Sequence, residues 1–530
     1  MLFNSFSFIF GFLPIVLIGF LALGRKHPRA AALWLAVASL VFYAWWNPRF
    51  LSLLLGSVCF NYLAGRLITR ESGPDRRYRD RARLILTVSI SVNLLLLGYF
   101  KYAHFFARTL SATLGLQWTL GNIVLPIGIS FFTFTQIAFL VDASRGKARE
   151  YDFVNYLLFV TYFPHLISGP VLHHAQMMPQ FQESKTYRVN WNNLAAGLSI
   201  FLLGLAKKVV IADTLAPFTG AFDAVGASLK PAFCEAWIGT IAYAFQLYFD
   251  FSGYSDMAVG LSLMFNILLP LNFSSPYKAG SIIEFWRRWH MTLSAFLRDY
   301  LYFPLGGNRK GPVRRNLNLM ITMLLGGLWH GAGWNFVFWG GLHGVYLVVN
   351  RFWRSWTERH GRFANFAGAP LLGGVLTFLA VLVAWVFFRA PNVGSSFAML
   401  SGMLGLNGVS LPASLRRLTA LVPGLANALK ITFDGLMPIA GGDPGFVLGN
   451  LGLAAIIIWG FPNVPELFSD LQITCDAKDN VAPTRPRGFV TRCLQWRPTP
   501  LMGVVYGIGF IILIAQLCGD TTSPFLYFQF

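Results

Sequence analysis

Stretches of about twenty residues that are almost free of charge recur along this chain, at roughly 6–24, 30–46, 50–67, 84–106 and 121–141, and again near 232–249, 254–271, 316–334, 335–350, 370–388, 446–463 and 501–518. Coiled into a helix at ~1.5 Å per residue, such a stretch crosses the ~30 Å hydrocarbon layer of a bilayer with its backbone hydrogen bonds made internally. Charged side chains make up 12% of the 530 residues and hydrophobic ones 55%, whereas a soluble domain carries about 25% charged residues. A water-soluble fold would have to expose large apolar patches to accommodate this sequence. The expected fold class is therefore all-α: one polytopic integral membrane domain over 1–530, with about 11–13 transmembrane helices and additional re-entrant and amphipathic helices. Ser7 to Leu23 lacks a positive stretch before it and a small-residue cleavage site after it, and reads as a retained span.

The net charge of +20 fits membrane topology rather than nucleic-acid binding, because no nucleic-acid module accompanies it and the basic residues gather in short loops beside the apolar runs. Arg25, Lys26 and Arg29 follow the first run, seven arginines between Arg66 and Arg83 follow the third, and Arg145, Lys147 and Arg149 follow the fifth. By the positive-inside rule these loops face the cytoplasm. So does the stretch 278–315, with eight basic residues against Glu284 and Asp299, and so does the group Arg351, Arg354, Arg359 and Arg362. Between 153 and 250, Pro164, His165, Gly169, Pro170 and the pair Lys207 and Lys208 interrupt the apolar pattern. Broken or re-entrant helices are expected there, with the lysines as snorkelling cations. The five cysteines are scattered and form neither a metal knuckle nor a disulfide framework.

Three polar features could carry chemistry. Ser281 and Glu284 open a capping-box pattern, and Ile282, Trp286, Trp289, Leu293 and Phe296 then recur at three- and four-residue steps. An amphipathic interfacial helix is expected, with His290 either a site residue or part of an anchor. In the core segment 316–350, His330 lies 15 residues beyond Arg315, or ~22 Å along an unbroken helix. An ionisable side chain at that depth marks a functional site lined by protein or water, or else a neutral imidazole satisfied by two hydrogen bonds. His343 fits either a shared cavity or packing in its glycine-rich surroundings. Asp250 and Asp256 flank Gly253 at an expected break between spans, where they would cap a helix or pair with a cation; they make a poor metal site, with no histidine or cysteine near in sequence. No metal site is expected. No nucleophile elbow, Walker loop, H-E-x-x-H or dinucleotide fingerprint of useful specificity occurs.

The segments Glu284-Phe-Trp-Arg-Arg-Trp-His-Met-Thr-Leu-Ser294, Leu297-Arg-Asp-Tyr-Leu-Tyr302, Leu305-Gly-Gly-Asn-Arg-Lys-Gly311 and Met323-Leu-Leu-Gly-Gly-Leu-Trp-His-Gly331 resemble the core of the membrane-bound O-acyltransferase family, most closely its bacterial alginate O-acetylation branch. Phe163-Pro-His-Leu-Ile-Ser-Gly-Pro170, Leu205-Ala-Lys-Lys-Val-Val-Ile-Ala-Asp213 and Gln246-Leu-Tyr-Phe-Asp-Phe-Ser-Gly-Tyr-Ser-Asp256 extend the resemblance, which runs from about residue 40 to the end and is weakest between 390 and 500. It implies a helical funnel in the bacterial inner membrane. An acetyl group would pass from a cytoplasmic thioester, acetyl-CoA or an acyl carrier, to a hydroxyl outside, with no permanently bound cofactor.

His330 matches the family's central histidine and would be the general base, and His290 matches its second histidine. Trp329 or His290 would orient the acyl carbonyl, and Trp286, Arg287, Arg288, Arg298, Asn308, Arg309 and Lys310 would hold the phosphate-bearing donor. Asp250, Asp256 and His343 would be supporting residues. The implied partners are membrane lipid, a polysaccharide acceptor and a periplasmic SGNH-type esterase or transferase, for which the tail Phe525 to Phe530 is a docking candidate. The alternatives are D-alanyl transfer toward teichoic acids and a non-catalytic conduit with His330 as a proton relay.

Overall fold

The computed structural model describes residues 1–71, 76–115, 120–148, 152–360, 369–412, 416, 430–433, 443–476, 488–519 and 523–526. Arg149, Arg362 and the end of the tail, Tyr527 to Phe530, lie outside them. Among the described residues the regular structure is helical apart from one short parallel pairing, Val409–Ser410 with Ile431–Thr432, and an isolated bridge between Leu269 and Thr474. Among the described residues six helices are long and apolar enough to cross a membrane: Ser7–Gly24, Arg49–Glu71, Tyr78–Leu114, Trp191–Gly226, Pro370–Arg389 and Pro500–Gly519. Shorter apolar helices occupy Pro28–Ala44, Ile129–Ser144, Val393–Met403 and Pro444–Gly460. Large apolar side chains stand outward on several of these, as at Ile18, 68% exposed, and Leu371, 76% exposed. Lipid can cover such surface and water cannot without cost. The protein is an all-α, multi-pass membrane protein.

Two compact units divide the chain. The first comprises Met1–Leu205, Gly253–Asn272 and Val464–Gln529, and the second comprises Ala206–Ser252 with Phe273–Asn463. In the first, hydrophobicity drives helices into lipid but not against one another, so polar contacts and close packing hold neighbours together. Asn61 and Asn93 exchange side-chain hydrogen bonds of 3.1 and 2.7 Å, and Gln136 Nε2 donates to Ser57 Oγ at 2.9 Å. These join helices Arg49–Glu71, Arg76–Leu97 and Ile129–Ser144. The expected broken helices follow as Phe153–Thr161, Phe163–Leu166 and His174–Gln182. The backbone amide freed at Phe163 donates to the hydroxyl of Ser39 at 3.1 Å, which satisfies a group that lipid could not. Phe525, expected in an outward docking tail, is instead fully buried, its ring edge-on to Tyr254 at 4.8 Å.

At two points where the sequence pattern predicts an interruption, the helix in fact continues. Helix Phe233–Met264 runs unbroken for 32 residues through Gly253, because a single glycine costs a helix only about 1 kcal/mol. Asp250 and Asp256 therefore share one continuous helix instead of flanking a break. Helix Trp191–Ala206 likewise runs on through Lys207–Ala212 as a π-helical turn, a local widening that often marks sites of special demand.

In the second unit, helices Gly311–His330 and Trp334–His360 form an antiparallel hairpin that turns at Gly331 to Gly333. Its seam is built on glycine. A Cβ at Gly340 would strike the Met323 carbonyl and lie 3.2 Å from the Gly327 Cα, whereas at Gly341 it would meet only Leu324 Cδ2 at an ordinary 3.5 Å. Gly340→Ala should therefore cost about 1–3 kcal/mol of stability through overpacking. Gly341→Ala should be neutral or slightly stabilising, since alanine is the better helix former. Thermal unfolding of the two detergent-solubilised variants compares them directly; equal midpoints would mean that the seam is not tight.

Candidate active site

His330 is the last residue of helix Gly311–His330, and the unbroken helix places it where the 15-residue spacing from Arg315 implied. It is 5% exposed. The indole of Trp329 lies edge-on to it at 4.9 Å between ring centroids, Trp339 at 5.0 Å and Phe388 at 5.3 Å. These rings surround the imidazole on three sides and lower the local dielectric, in which polar interactions are stronger than in water.

The segment expected to form one interfacial amphipathic helix does not do so. Ile282–Arg288 and Met291–Leu297 are separate seven-residue helices. Between them His290 adopts φ 43° and ψ 54°, a left-handed conformation that is uncommon outside glycine. The capping expectation holds in part: Ser281 Oγ accepts from the Glu284 amide at 3.3 Å, while the Glu284 carboxylate accepts from the amide of Gly280 at 2.9 Å instead of that of Ser281. The apolar stripe is also turned inward, with Ile282, Trp289, Leu293 and Phe296 buried in protein and Trp286 half-buried.

The break aims His290 at the same pocket of rings as His330. The two imidazole centroids are 6.3 Å apart, and Trp329 lies 6.1 Å from His290. Phe251 packs edge-on against His290 at 4.9 Å. His290 is fully buried, and burial pushes its imidazole down to about 3, so the ring is neutral near pH 7. Strained backbone at a buried titratable side chain is the kind of cost that a working site carries.

His343 stands one ring further along. Its Nδ1 accepts a 3.2 Å hydrogen bond from Trp286 Nε1, and its ring lies 4.9 Å from Trp339. Trp286 thus serves His343, and Trp339 connects His343 to His330. The basic residues divide into two sets. Arg288 pairs with Glu284 at 2.6 Å, and Arg298 pairs with Asp299 through contacts of 2.7 and 3.0 Å. Arg287, Arg309 and Lys310 are exposed. Asn308 accepts from the Tyr302 hydroxyl at 2.5 Å, in a loop where Gly306 and Gly307 take φ of 111° and 53°.

Asp250 is 1% exposed and receives Lys208 Nζ at 2.7 Å, while the same ammonium lies 2.9 Å from Asp213. Lys208 is thus a buried ion-pair partner, not a snorkelling cation. Asp256, also buried, falls in the stretch of helix belonging to the first unit.

Sequence reasoning missed Trp339 and Phe388, which pack on His330, and Trp385, whose ring lies 5.9 Å from Trp339 and 6.4 Å from His343. The signal was the spacing of Trp339, His343 and Tyr346 at four and three residues, one face of a helix. Among the described residues no group of three or more His, Cys, Asp and Glu side chains is placed to hold a metal ion.

The model of the family described as MBOAT, membrane-bound O-acyltransferase, matches residues 77–390. A peptidoglycan O-acetyltransferase of Helicobacter pylori is 45% identical over 78% of this chain and 81% of its own length. A probable alginate O-acetylase of Azotobacter vinelandii is 42% identical over the full length of both. A teichoic acid D-alanyltransferase of Streptococcus thermophilus is 28% identical over 49% of this chain and 68% of its own.

Proposed function

The chain belongs to the membrane-bound O-acyltransferase family, and on that premise we propose that it moves an acetyl group from acetyl-CoA on the cytoplasmic side of a bacterial inner membrane to hydroxyls of an extracytoplasmic polysaccharide, directly or through a periplasmic SGNH-type partner. The observation that carries this reading is the buried pair His330 and His290, with ring centroids 6.3 Å apart inside a shell of aromatic rings. Two imidazoles in such a setting suit proton transfer between a hydroxyl and a thiol leaving group.

In the proposed reaction, His330 takes the proton of the acceptor hydroxyl as its oxygen attacks the thioester carbonyl. The tetrahedral intermediate collapses, the carbon–sulfur bond breaks, and the imidazolium returns its proton to the departing thiolate. The acetyl carbon ends in an oxygen ester and coenzyme A leaves as the thiol. His290, held neutral, orients the acyl group with Trp329. The exposed Arg287, Arg309 and Lys310 are the candidates for the coenzyme phosphates, while Arg288 and Arg298 are already paired with the carboxylates of Glu284 and Asp299.

Acetyl transfer is favoured over D-alanyl transfer because relatives named as O-acetylases align along the whole chain and the D-alanyltransferase aligns along half of it. Purified protein supplied with acetyl-labelled acetyl-CoA and a polysaccharide acceptor should release free coenzyme A and deposit base-labile label on the polymer. Acceptance of D-alanyl thioester alone, or passage of the thioester without bond cleavage, would overturn the proposal.

A further inference from the structure

Resting on that reading, we infer that Trp339 and His343 form the hydrogen-bonding pocket for the acyl oxygen, taking the thioester carbonyl in the ground state and the oxyanion as the acceptor adds. An indole N–H can only donate. Trp286 Nε1 donates to His343 Nδ1 at 3.2 Å, so Nδ1 must present a lone pair and the imidazole must carry its proton on Nε2. His343 is thereby fixed as a donor at its far nitrogen.

That nitrogen and Trp339 Nε1 are both buried, with no hydrogen-bond acceptor among the described residues. The two residues are 0% and 1% exposed. Buried donors of this kind are satisfied by something, and here there are two, on adjacent rings 4.9 Å apart. Trp339 also lies 5.0 Å from His330. A pair of donors beside a base calls for a group that only accepts and that gains negative charge as the base acts. A thioester carbonyl oxygen has both properties: its two lone pairs match two N–H groups, and on attack it becomes the oxyanion until the carbon–sulfur bond breaks. The Trp286 indole then acts as a positioning residue through the tautomer it enforces.

Binding of two coenzyme A analogues tests this: a methyl ketone in which a methylene replaces the thioester sulfur, and S-ethyl-coenzyme A, which lacks the carbonyl. Trp339→Phe and His343→Asn each remove one donor while keeping, respectively, an aromatic ring and an acceptor for Trp286. Both should weaken the ketone about tenfold, leave the S-ethyl analogue unchanged, and lower kcat for acetyl transfer about 10²- to 10³-fold with little change in KM. His343→Gln, which restores a donor near the Nε2 position, should recover part of the ketone affinity that His343→Asn loses. Equal loss of both analogues would mean a packing role and overturn the inference. Unchanged ketone binding would mean that other acceptors, such as water, serve these donors, and would overturn it equally. If neither analogue binds the unaltered protein while another acyl thioester is turned over, the coenzyme A reading falls and this inference falls with it.

Discussion

Replacing His330 with alanine should abolish ester formation while the protein still inserts, purifies and melts nearly as the parent does. The imidazole ends a helix whose other contacts are made by neighbouring residues, so the substitution removes one ring from an aromatic shell. Stability then falls only within the usual range of about 0.5–3 kcal/mol. Activity falls much further, because proton transfer by a positioned base supplies about 10²- to 10⁴-fold and no other described histidine can take over at the same geometry. The imidazole of His290 is 6.3 Å away, with Phe251 packed against it. Counting acetyl esters on the polymer by mass analysis, alongside thioester hydrolysis by the purified variant, separates loss of transfer from loss of donor binding. Retention of more than about a tenth of the parent rate would be too much for a lost general base and would remove His330 from the mechanism.

The position of His330 at the far end of one unbroken helix was legible because helical rise is a constant: fifteen residues beyond the last arginine, with no proline between, fixes a length along the helix whatever the neighbours are. The number of spans was less legible, since apolar runs do not say where a helix stops. Residues 232–249 and 254–271 read as two runs, yet the backbone of Phe233–Met264 passes straight through Gly253. The Gly253 carbonyl lies where a side chain on Gly204 would otherwise stand, so it is the missing side chain of Gly204 that lets the two helices approach closely.

The geometry around His290 was hidden for a different reason. Its flanking residues keep a helical period on both sides, and only the tertiary burial of Trp289 and Phe285 forces the left-handed residue between two short helices. Periodicity reports a preferred local state, and packing overrode it at the residue that the site needs to aim inward. The tautomer of His343 was likewise beyond reach, because Trp286 and His343 lie 57 residues apart and nothing local pairs them.

Lys208→Met should be the most damaging substitution for folding. Lys208 and Asp250 side chains are each 2% exposed and 2.7 Å apart, and Asp213, at 2.9 Å, is 28% exposed. Removing the lysine strips a buried carboxylate of its cation, a change that costs about 3–5 kcal/mol out of a total stability of about 5–15 kcal/mol in a typical protein. The folded, monodisperse yield should fall severalfold. Lys208→Met combined with Asp250→Leu should recover most of it, because well-packed apolar replacements of a buried pair are often neutral or stabilising, and Asp213 can turn toward water. Raising the salt concentration should change neither result, since a buried pair is poorly screened. If the single variant is as stable as the parent, water reaches the cluster and the pair is not a structural clasp. If the double variant folds fully but transfers acetyl slowly, the clasp also sets the position of Phe251, the next residue on the helix, whose ring packs against His290. A separate readout distinguishes that case: KM for the donor should stay near the parent value while kcat drops, because a tilted Phe251 would misplace an imidazole without touching the residues that bind phosphate.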